Sequence, residues 1–542
     1  MQETGVDSVE TRVSMSPTHI SVEAIQENVR ALFGVESSNY NYDSDRFMRD
    51  MSIVMRQKLN SFPVLNDARL HELSSSSKGL PVRFMCLIRS DFNGDTRIFS
   101  YSKKDRADDK PRCALFGAHG ADMARNGPCA VGTDFLGDDL EAQLMVYRRC
   151  YSVAMLPGMT DWYFREKYGP NASHADFVQV AQTRFCAGFY DGASHGFASS
   201  TAYEIYGILT NPLKEGTTHF GFPQIDVIAY IPIMTDIGLR HTVSKPSIIG
   251  KYVTSLVSFF KDFVGPKSNA LLLICALCSS RSVTPRSGCT RTCSLPLNIT
   301  NVKESKPIIE AIKFLMPRVS VLKATDLLNF DFSSYQHRSA SAENPIAPLQ
   351  LAPGTVLIID ETDAPKGIIK NARARRNFVV LRNLIYQQEL IYRQRLGFKN
   401  SIMDVTIIVL SRQRSHISPT PFCFEKGNCS MNSNNYAEYL EAQSKNVGSF
   451  ADMRNHLQVS RCLAPRIPLS PLFRRLASAF FTRLTAVNKE TNVGMLYYHI
   501  CLSRIWAALQ NAEEVEKKHF TLAYHILSHH PIKMVGGTAS FS

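Results

Sequence analysis

The sequence has no long apolar run: the longest uninterrupted stretch, Ala270 to Leu277, falls far short of the roughly 20 residues that cross a bilayer. Its opening residues, MQETGVDSVE, lack the basic region and apolar core of a secretory leader. A soluble, intracellular protein with no membrane partner is the expectation. A disulfide framework is also missing, because the 13 cysteines are odd in number and fall singly from Cys86 to Cys501 along a large chain, as reduced thiols do. The sequons at Asn171, Asn298 and Asn428 are then expected to carry no glycan. Acid is in short supply, with 48 Asp and Glu against 61 Lys and Arg, so the net charge is +13. Spread over 542 residues, that surplus admits nucleic acid or an acidic protein partner without choosing between them. There is no internal repeat.

What is present is ordinary globular composition, 44% hydrophobic and 20% charged. At roughly 100–200 residues per domain the length implies two to four domains. Residues 1–45 read as a flexible start with one amphipathic helix, on which Val22, Ile25, Val29, Leu32 and Phe33 stand at helical spacing. Residues 46–240 carry short β-type runs: Val82 to Ile88, Arg97 to Tyr101 after an Asn93-Gly94 turn that predicts a hairpin, Tyr151 to Leu156, Tyr203 to Leu209 and Ile225 to Ile233. Short strands with long connections predict an OB-like β-barrel, interrupted by a Gly/Ala/Ser-rich insertion at 167–200.

From Ile248 the pattern turns helical, with Tyr252, Leu256, Phe259, Phe260 and Phe263 on one face. Further on, Thr355 to Asp360 reads as a buried strand, Phe378 to Tyr392 as a helix with Leu381, Leu384, Ile385 and Ile391 inward, and Val405 to Leu410 as a second buried strand. Elements of those lengths predict a right-handed βαβ crossover with parallel strands, so residues 241–412 form an α/β domain. Residues 413–455 read as a polar loop. Residues 456–542 read as a helical region, with Leu472 to Val487 and Gly494 to Leu527 as its helices. The expected fold class is thus a mixed α+β and α/β multidomain chain.

Several motifs suggest chemistry. Val356-Leu357-Ile358-Ile359-Asp360-Glu361 has the form of a Walker B strand, in which an Asp holds Mg²⁺ and a Glu polarises water. Its partner would be a Gly-rich loop whose N–H groups wrap phosphate. The nearest approach, Gly265-Pro266-Lys267-Ser268, lacks the upstream Gly, and its Pro removes a donor. Asp360 and Glu361 therefore remain weak cofactor candidates, and no cofactor is expected. Gly192-Ala193-Ser194-His195-Gly196 matches the nucleophile elbow of hydrolases but follows a short, mixed run and opens no recognisable helix. Cys275, Cys278, Cys289 and Cys293 have the ligand types of a structural zinc site, although the first two sit in an apolar run where Cys packs as a small hydrophobe. The densest basic run, Lys370 with Arg373, Arg375 and Arg376, suits nuclear targeting, phosphate contact or a solvated turn. His529-His530, with no third ligand nearby, is expected to be exposed. Arg97, Phe99 and Tyr101 are candidates for a stacking groove, with alternation expected to place only two of them on one face.

In this order the pieces resemble the mini-chromosome maintenance (MCM) complex-binding protein family. The resemblance runs through Phe62-Pro63-Val64-Leu65-Asn66, Leu80 to Ile88, Arg149-Cys150-Tyr151, Leu156-Pro157-Gly158, Thr160-Asp161-Trp162 and Tyr203 to Leu209. It continues with Leu271-Leu272-Leu273, Leu295 to Asn298, Leu384 to Phe398 and Val405 to Ser411. The most specific block is Leu349-Gln350-Leu351-Ala352-Pro353-Gly354-Thr355 through Asp360-Glu361-Thr362. Arg412-Gln413 departs from the family's Glu-Gly, and the stretches 167–200 and 413–450 have no counterpart in these blocks.

The resemblance implies a nuclear, non-catalytic partner of MCM helicase subunits that promotes their unloading from chromatin and supports MCM supply and chromatid cohesion. Chromatin association would then be indirect. A barrel followed by a degenerate AAA+-like parallel α/β domain without a P-loop, and then helices, is how a decayed copy of an MCM subunit would look. The rival readings are an ATPase using Asp360 and Glu361, and single-strand nucleic-acid binding by the barrel.

Overall fold

The computed structural model describes residues 19–22, 24–25, 27–28, 44–75, 79–91, 95–102, 112–113, 140–191, 197, 200–211, 222–233, 246–283, 290–326, 330, 332, 348–364, 371–394, 397–415, 420–432, 434–445, 447–487 and 493–530. Near the start, Val22, Ala24, Ile25, Glu27 and Asn28 are helical, with Val22 and Ile25 buried. Val29, Leu32 and Phe33 lie outside the described residues. Helix α1 (Ser44–Arg56) buries Met48, Met51 and Met55, which recur on one face, against Tyr206, Ile208 and Ile228 on the outside of the barrel. Helix α2 (Asp67–Ser75) adds Leu73 to the barrel core.

The barrel is built from β1 (Leu80–Asp91), β4 (Leu140–Met155), β5 (Phe185–Phe189), β6 (Ala202–Thr210) and β7 (Gln224–Pro232), with β2 (Asp95–Ser102) and β3 (Arg112–Cys113) extending it. Helices α3 (Asp161–Tyr168) and α4 (Val178–Gln182) lie between β4 and β5. The hydrogen-bonded order β1-β6-β7-β5-β4 returns to β1 and closes the ring. Every pairing in it is antiparallel except β5 with β7. Its centre holds Phe84, Tyr151, Phe185, Phe189 and Ile205. Gly207 is needed in β6 because a Cβ there would collide with the Asp226 carbonyl at an irregularity in the ladder.

Three expectations change here. Asn93-Gly94 lies outside the described residues, but the strands on either side form no hairpin: Asp91 pairs with Tyr151 and Asp95 with Arg148, so β1 and β2 run along β4 in one continuing antiparallel direction. The stretch 167–200 is not simply an insertion, since its Phe185–Phe189 is a fully buried barrel strand. That strand was overlooked because Ala187 and Gly188 read as turn composition, yet small residues suit a strand closed in on both sides. Arg97, Phe99 and Tyr101 occupy alternate positions of β2 and so share one face of that strand.

Beyond the barrel come α5 (Pro246–Val264), α6 (Lys267–Leu277) and a two-stranded ribbon of β8 (Ser280–Val283) and β9 (Thr290–Cys293). A parallel sheet follows from β10 (Leu297–Thr300), α7 (Lys306–Leu315), β11 (Val319–Lys323) and β12 (Thr355–Asp360). It is completed by α8 (Ala372–Gln387), the hairpin of β13 (Glu389–Gln394) and β14 (Gly397–Ile402), β15 (Val405–Leu410) and β16 (Phe422–Glu425). The order is β11-β12-β15-β10-β16, and every pairing is parallel. Val356 and Ile358 face α5, α6 and the closing helices, while Leu357 and Ile359 face α8. Burial on both faces is what makes these strands near-continuous apolar runs.

The crossover β12-α8-β15 joins parallel neighbours, Thr355 opposite Val405. Helix α8 starts earlier than the apolar pattern suggests, because the Asn371 side chain caps it by accepting from the N–H groups of Arg373 (2.8 Å) and Ala374 (3.3 Å). It also stops earlier. Gln388 turns left-handed (φ 55°), and Ile391 belongs to the β13 hairpin. The polar stretch 413–455 holds β16, α9 (Tyr436–Ser444) and the first part of α10 (Val447–Leu463), anchored by buried Phe422, Phe424, Tyr436, Phe450 and Met453. Sparse aromatic anchors suffice where a neighbouring surface already exists to receive them. Helices α11 (Pro471–Val487), α12 (Val493–Leu509) and α13 (Lys517–His529) follow. Among the described residues no helix is long and apolar enough to cross a membrane.

Candidate functional site

Ligands of parallel α/β sheets sit outside the carboxyl ends of the strands. Here β10, β12 and β15 converge at that edge. The Asp360 carboxylate ends β12 and is already bonded on both oxygens. Oδ1 accepts from the Thr362 N–H (3.0 Å) and hydroxyl (2.7 Å), and Oδ2 accepts from the Ser305 hydroxyl (2.6 Å). Ser305 precedes α7, so this bond clamps the start of that helix to the end of β12. Glu361 is buried, and its N–H donates to the Leu410 carbonyl of β15 (2.8 Å).

The turn from β10 into α7 is where a phosphate loop would lie, since such a loop joins a strand to a helix. It contains no glycine: Asn301-Val302-Lys303-Glu304-Ser305. Asn301 is left-handed (φ 59°), and its N–H donates to the Arg412 carbonyl (3.2 Å). The Val302 N–H donates to the Ser411 carbonyl (3.0 Å), and the Val302 side chain is fully buried. Pro307, in the first turn of α7, has no N–H to offer. Lys306 places its amine 5.9 Å from the Tyr436 ring, toward α9. The first two N–H groups of the turn are thus already engaged with the chain that extends β15.

The other candidates are scattered. Gly265 to Ser268 joins α5 to α6, with no strand before it, so it lacks the context of a phosphate loop. Residues 192–196 lie outside the described residues, and the elements on either side are barrel strands β5 and β6 where an elbow requires a helix to follow. Cys275, Cys278 and Cys293 are packed in the apolar core, and Cys289 lies outside the described residues. Burial pushes the Cys278 thiol up to about 12, and its S–H points at the Leu457 carbonyl. Among the described residues no three His, Cys, Asp or Glu are grouped to hold a metal. Arg373, Arg375 and Arg376 are exposed on the first turns of α8, and Lys370 lies outside the described residues. His529 is exposed, but His530 is buried against Phe424, with ring centroids 5.8 Å apart.

What sequence reasoning missed is the junction between barrel and sheet. After β4, Gly158 (φ 73°) accepts from the Val319 N–H at the free edge of β11 (2.7 Å), and a Cβ on it would come within 3.0 Å of the Val319 carbonyl. The Thr160 N–H donates to the Pro317 carbonyl (3.0 Å) and its hydroxyl to that of Met316 (3.0 Å). The Trp162 indole N–H donates to the Lys313 carbonyl (3.0 Å), and the Arg454 guanidinium lies 4.3 Å from its ring and 4.9 Å from that of Phe314. Burial lowers Arg454 to about 10. From the other side Gln350 accepts from Arg89 (3.2 Å), and Ala352 enters the barrel core. The blocks Leu156 to Trp162 and Leu349 to Thr355 thus hold the two halves together. Both pair Pro with Gly, in Leu156-Pro157-Gly158 and in Ala352-Pro353-Gly354.

A closed five-stranded barrel fixed to a parallel sheet with helices on both faces defines a mixed α/β protein. The chain belongs to the mini-chromosome maintenance replisome factor family, whose profile matches residues 232–529, more than half of its length. That family comprises MCM-binding factors of DNA replication. The match begins at the last residue of β7 and ends at the last of α13. It therefore covers the stretch 413–450 and the closing helices, while the blocks from Leu80 to Leu209 precede it. A comparison with curated proteins found no match.

Proposed function

We propose that this chain is a nuclear, non-catalytic partner of MCM helicase subunits that promotes their release from chromatin after replication and supports MCM supply and cohesion. The observation that carries the non-catalytic reading is the engaged turn after β10: the Asn301 and Val302 N–H groups are donated to β15's extension, and Asp360 is held by Ser305 and Thr362. The barrel's ring, in which the third and fifth strands are the parallel pair, supports the OB-like reading. The sheet order, in which the strand bearing Asp360 is separated by one strand from that feeding the glycine-free turn, supports descent from an ATPase sheet. Such a chain presents helicase-like surfaces to true subunits without coupling to ATP.

The test is recovery of MCM subunits on tagged full-length protein from nuclear extract, with and without ATP. Nucleotide-independent recovery is expected, together with MCM retention on chromatin after S phase when the protein is depleted. ATP hydrolysis by the purified chain is expected to match that of its Glu361→Gln variant. Turnover abolished by that substitution would reverse the reading in favour of an ATPase.

A further inference from the structure

Helix α8 buries one face and leaves the other open. Ala374, Asn377, Val380, Leu381, Leu384 and Ile385 pack against the sheet, while Arg375, Arg376, Val379 and Arg382 form a solvent-facing stripe. Val379 is 60% exposed in the middle of it. Helix α8 contains no acidic residue. Beside it, Arg382 and Arg414 both act electrostatically on the half-buried Tyr386 hydroxyl, and Arg412, 66% exposed beyond the end of β15, is ion-paired with Asp363 at 3.6 Å.

Folding does not account for this stripe. Arginines in the first turn oppose the helix dipole, whose positive end favours acidic residues there. The apolar side chain among them stays mostly exposed. From Arg375 to Arg382 the stripe runs about 10 Å, two helical turns. We propose that this face of α8 docks an acidic, amphipathic segment of an MCM subunit, with carboxylates on the arginines and an apolar side chain on Val379. The inference rests on the MCM-binding reading above and assigns its surface. A protein segment fits better than nucleic acid because a phosphate backbone has no use for a central valine, whereas protein interfaces pair an apolar anchor with a charged surround.

The test uses full-length protein carrying Arg376→Glu with Arg382→Glu and, separately, Val379→Asp. MCM recovery is expected to fall at least tenfold for each with melting temperature unchanged, and cross-links from α8 are expected to reach Asp/Glu-rich segments. If the glutamates lower the melting temperature, Arg376→Gln with Arg382→Gln replaces them, with a several-fold loss expected. Wild-type recovery of MCM subunits with undiminished recovery by the variants overturns the docking face and leaves the function standing. No recovery by wild type overturns the function itself. Variants that keep MCM subunits but lose a fluorescent 20-base-pair duplex assign the stripe to nucleic acid and overturn the proposal.

Discussion

Arg461 is the largest fully buried side chain among the described residues, and it ties closing helix α10 to the base of the sheet. One guanidinium nitrogen donates to Asp404 Oδ1 (2.9 Å), and the other to the Gly354 carbonyl (3.1 Å) and Thr406 hydroxyl (3.2 Å). Asp404, 14% exposed, also accepts from the Arg281 N–H (2.8 Å). Arg461→Met keeps most of the volume but leaves a carboxylate with one neutral donor and strips two further acceptors. Breaking a buried pair from one side costs about 3–5 kcal/mol, and the remaining donor and slight exposure of Asp404 place this case near 3 kcal/mol. That is a large share of the roughly 5–15 kcal/mol that stabilises a typical protein. Arg461→Lys is expected to lose part of this, because one ammonium cannot reproduce the planar fork. The chain has two tryptophans, Trp162 in the seam and Trp506 in α12, so a Trp162→Phe background makes urea unfolding report on the core that α10 and α12 share. A loss under about 1 kcal/mol would refute the assignment of Arg461 and Asp404 as a buried ion pair. So would an Arg461→Met, Asp404→Leu double variant less stable than Arg461→Met alone, since removing both charges relieves the stranded one.

Gly158→Val forces a branched residue into a left-handed conformation against the Val319 carbonyl, at a cost of about 2 kcal/mol. Its unfolding transition is expected to come earlier by Trp162 fluorescence than by Trp506, and coincident transitions would count against the seam. Burial lowers His456 and His499 to about 4, below the roughly 6.5 of an unfolded histidine. Between those values the unfolded chain binds more protons, so stability is whole above pH 6.5 and falls as pH drops toward 4, by up to about 3 kcal/mol per histidine. His499→Gln should roughly halve that slope in urea midpoints measured across pH 4–7; equal slopes would show that the ring titrates freely.

Strands β12 and β15 were legible because burial on both faces leaves an unbroken apolar run, and the α8 core face because Leu381, Leu384 and Ile385 keep helical spacing. The ends of α8 were not, since they depend on the Asn371 cap and on Arg281 donating to the Gln387 and Gln388 carbonyls (2.7 and 2.9 Å) from more than 100 residues away. Strand β5 was missed because Ala187 and Gly188 carry no periodic signal, and the direction of β2 because a turn dipeptide fixes local backbone but not which strand receives it. At the candidate site, the sequence showed Asp360-Glu361 and the absence of a glycine-rich loop, but not that Ser305 bonds Asp360 or that the Val302 N–H is given to the Ser411 carbonyl.

By itself, then, the sequence determined this chain's family, its thiol chemistry, its basic balance and the apolar strands of its sheet, since each is a property of composition or of short-range order. Which motif does chemistry and which joins domains was decided by tertiary structure alone. Leu156 to Trp162 and Leu349 to Thr355 are only blocks of a family resemblance in one dimension. They become a seam only when the free edge of β11 and the Met316 and Pro317 carbonyls are brought within hydrogen-bond reach of Gly158 and Thr160, a juxtaposition that no spacing along the chain encodes.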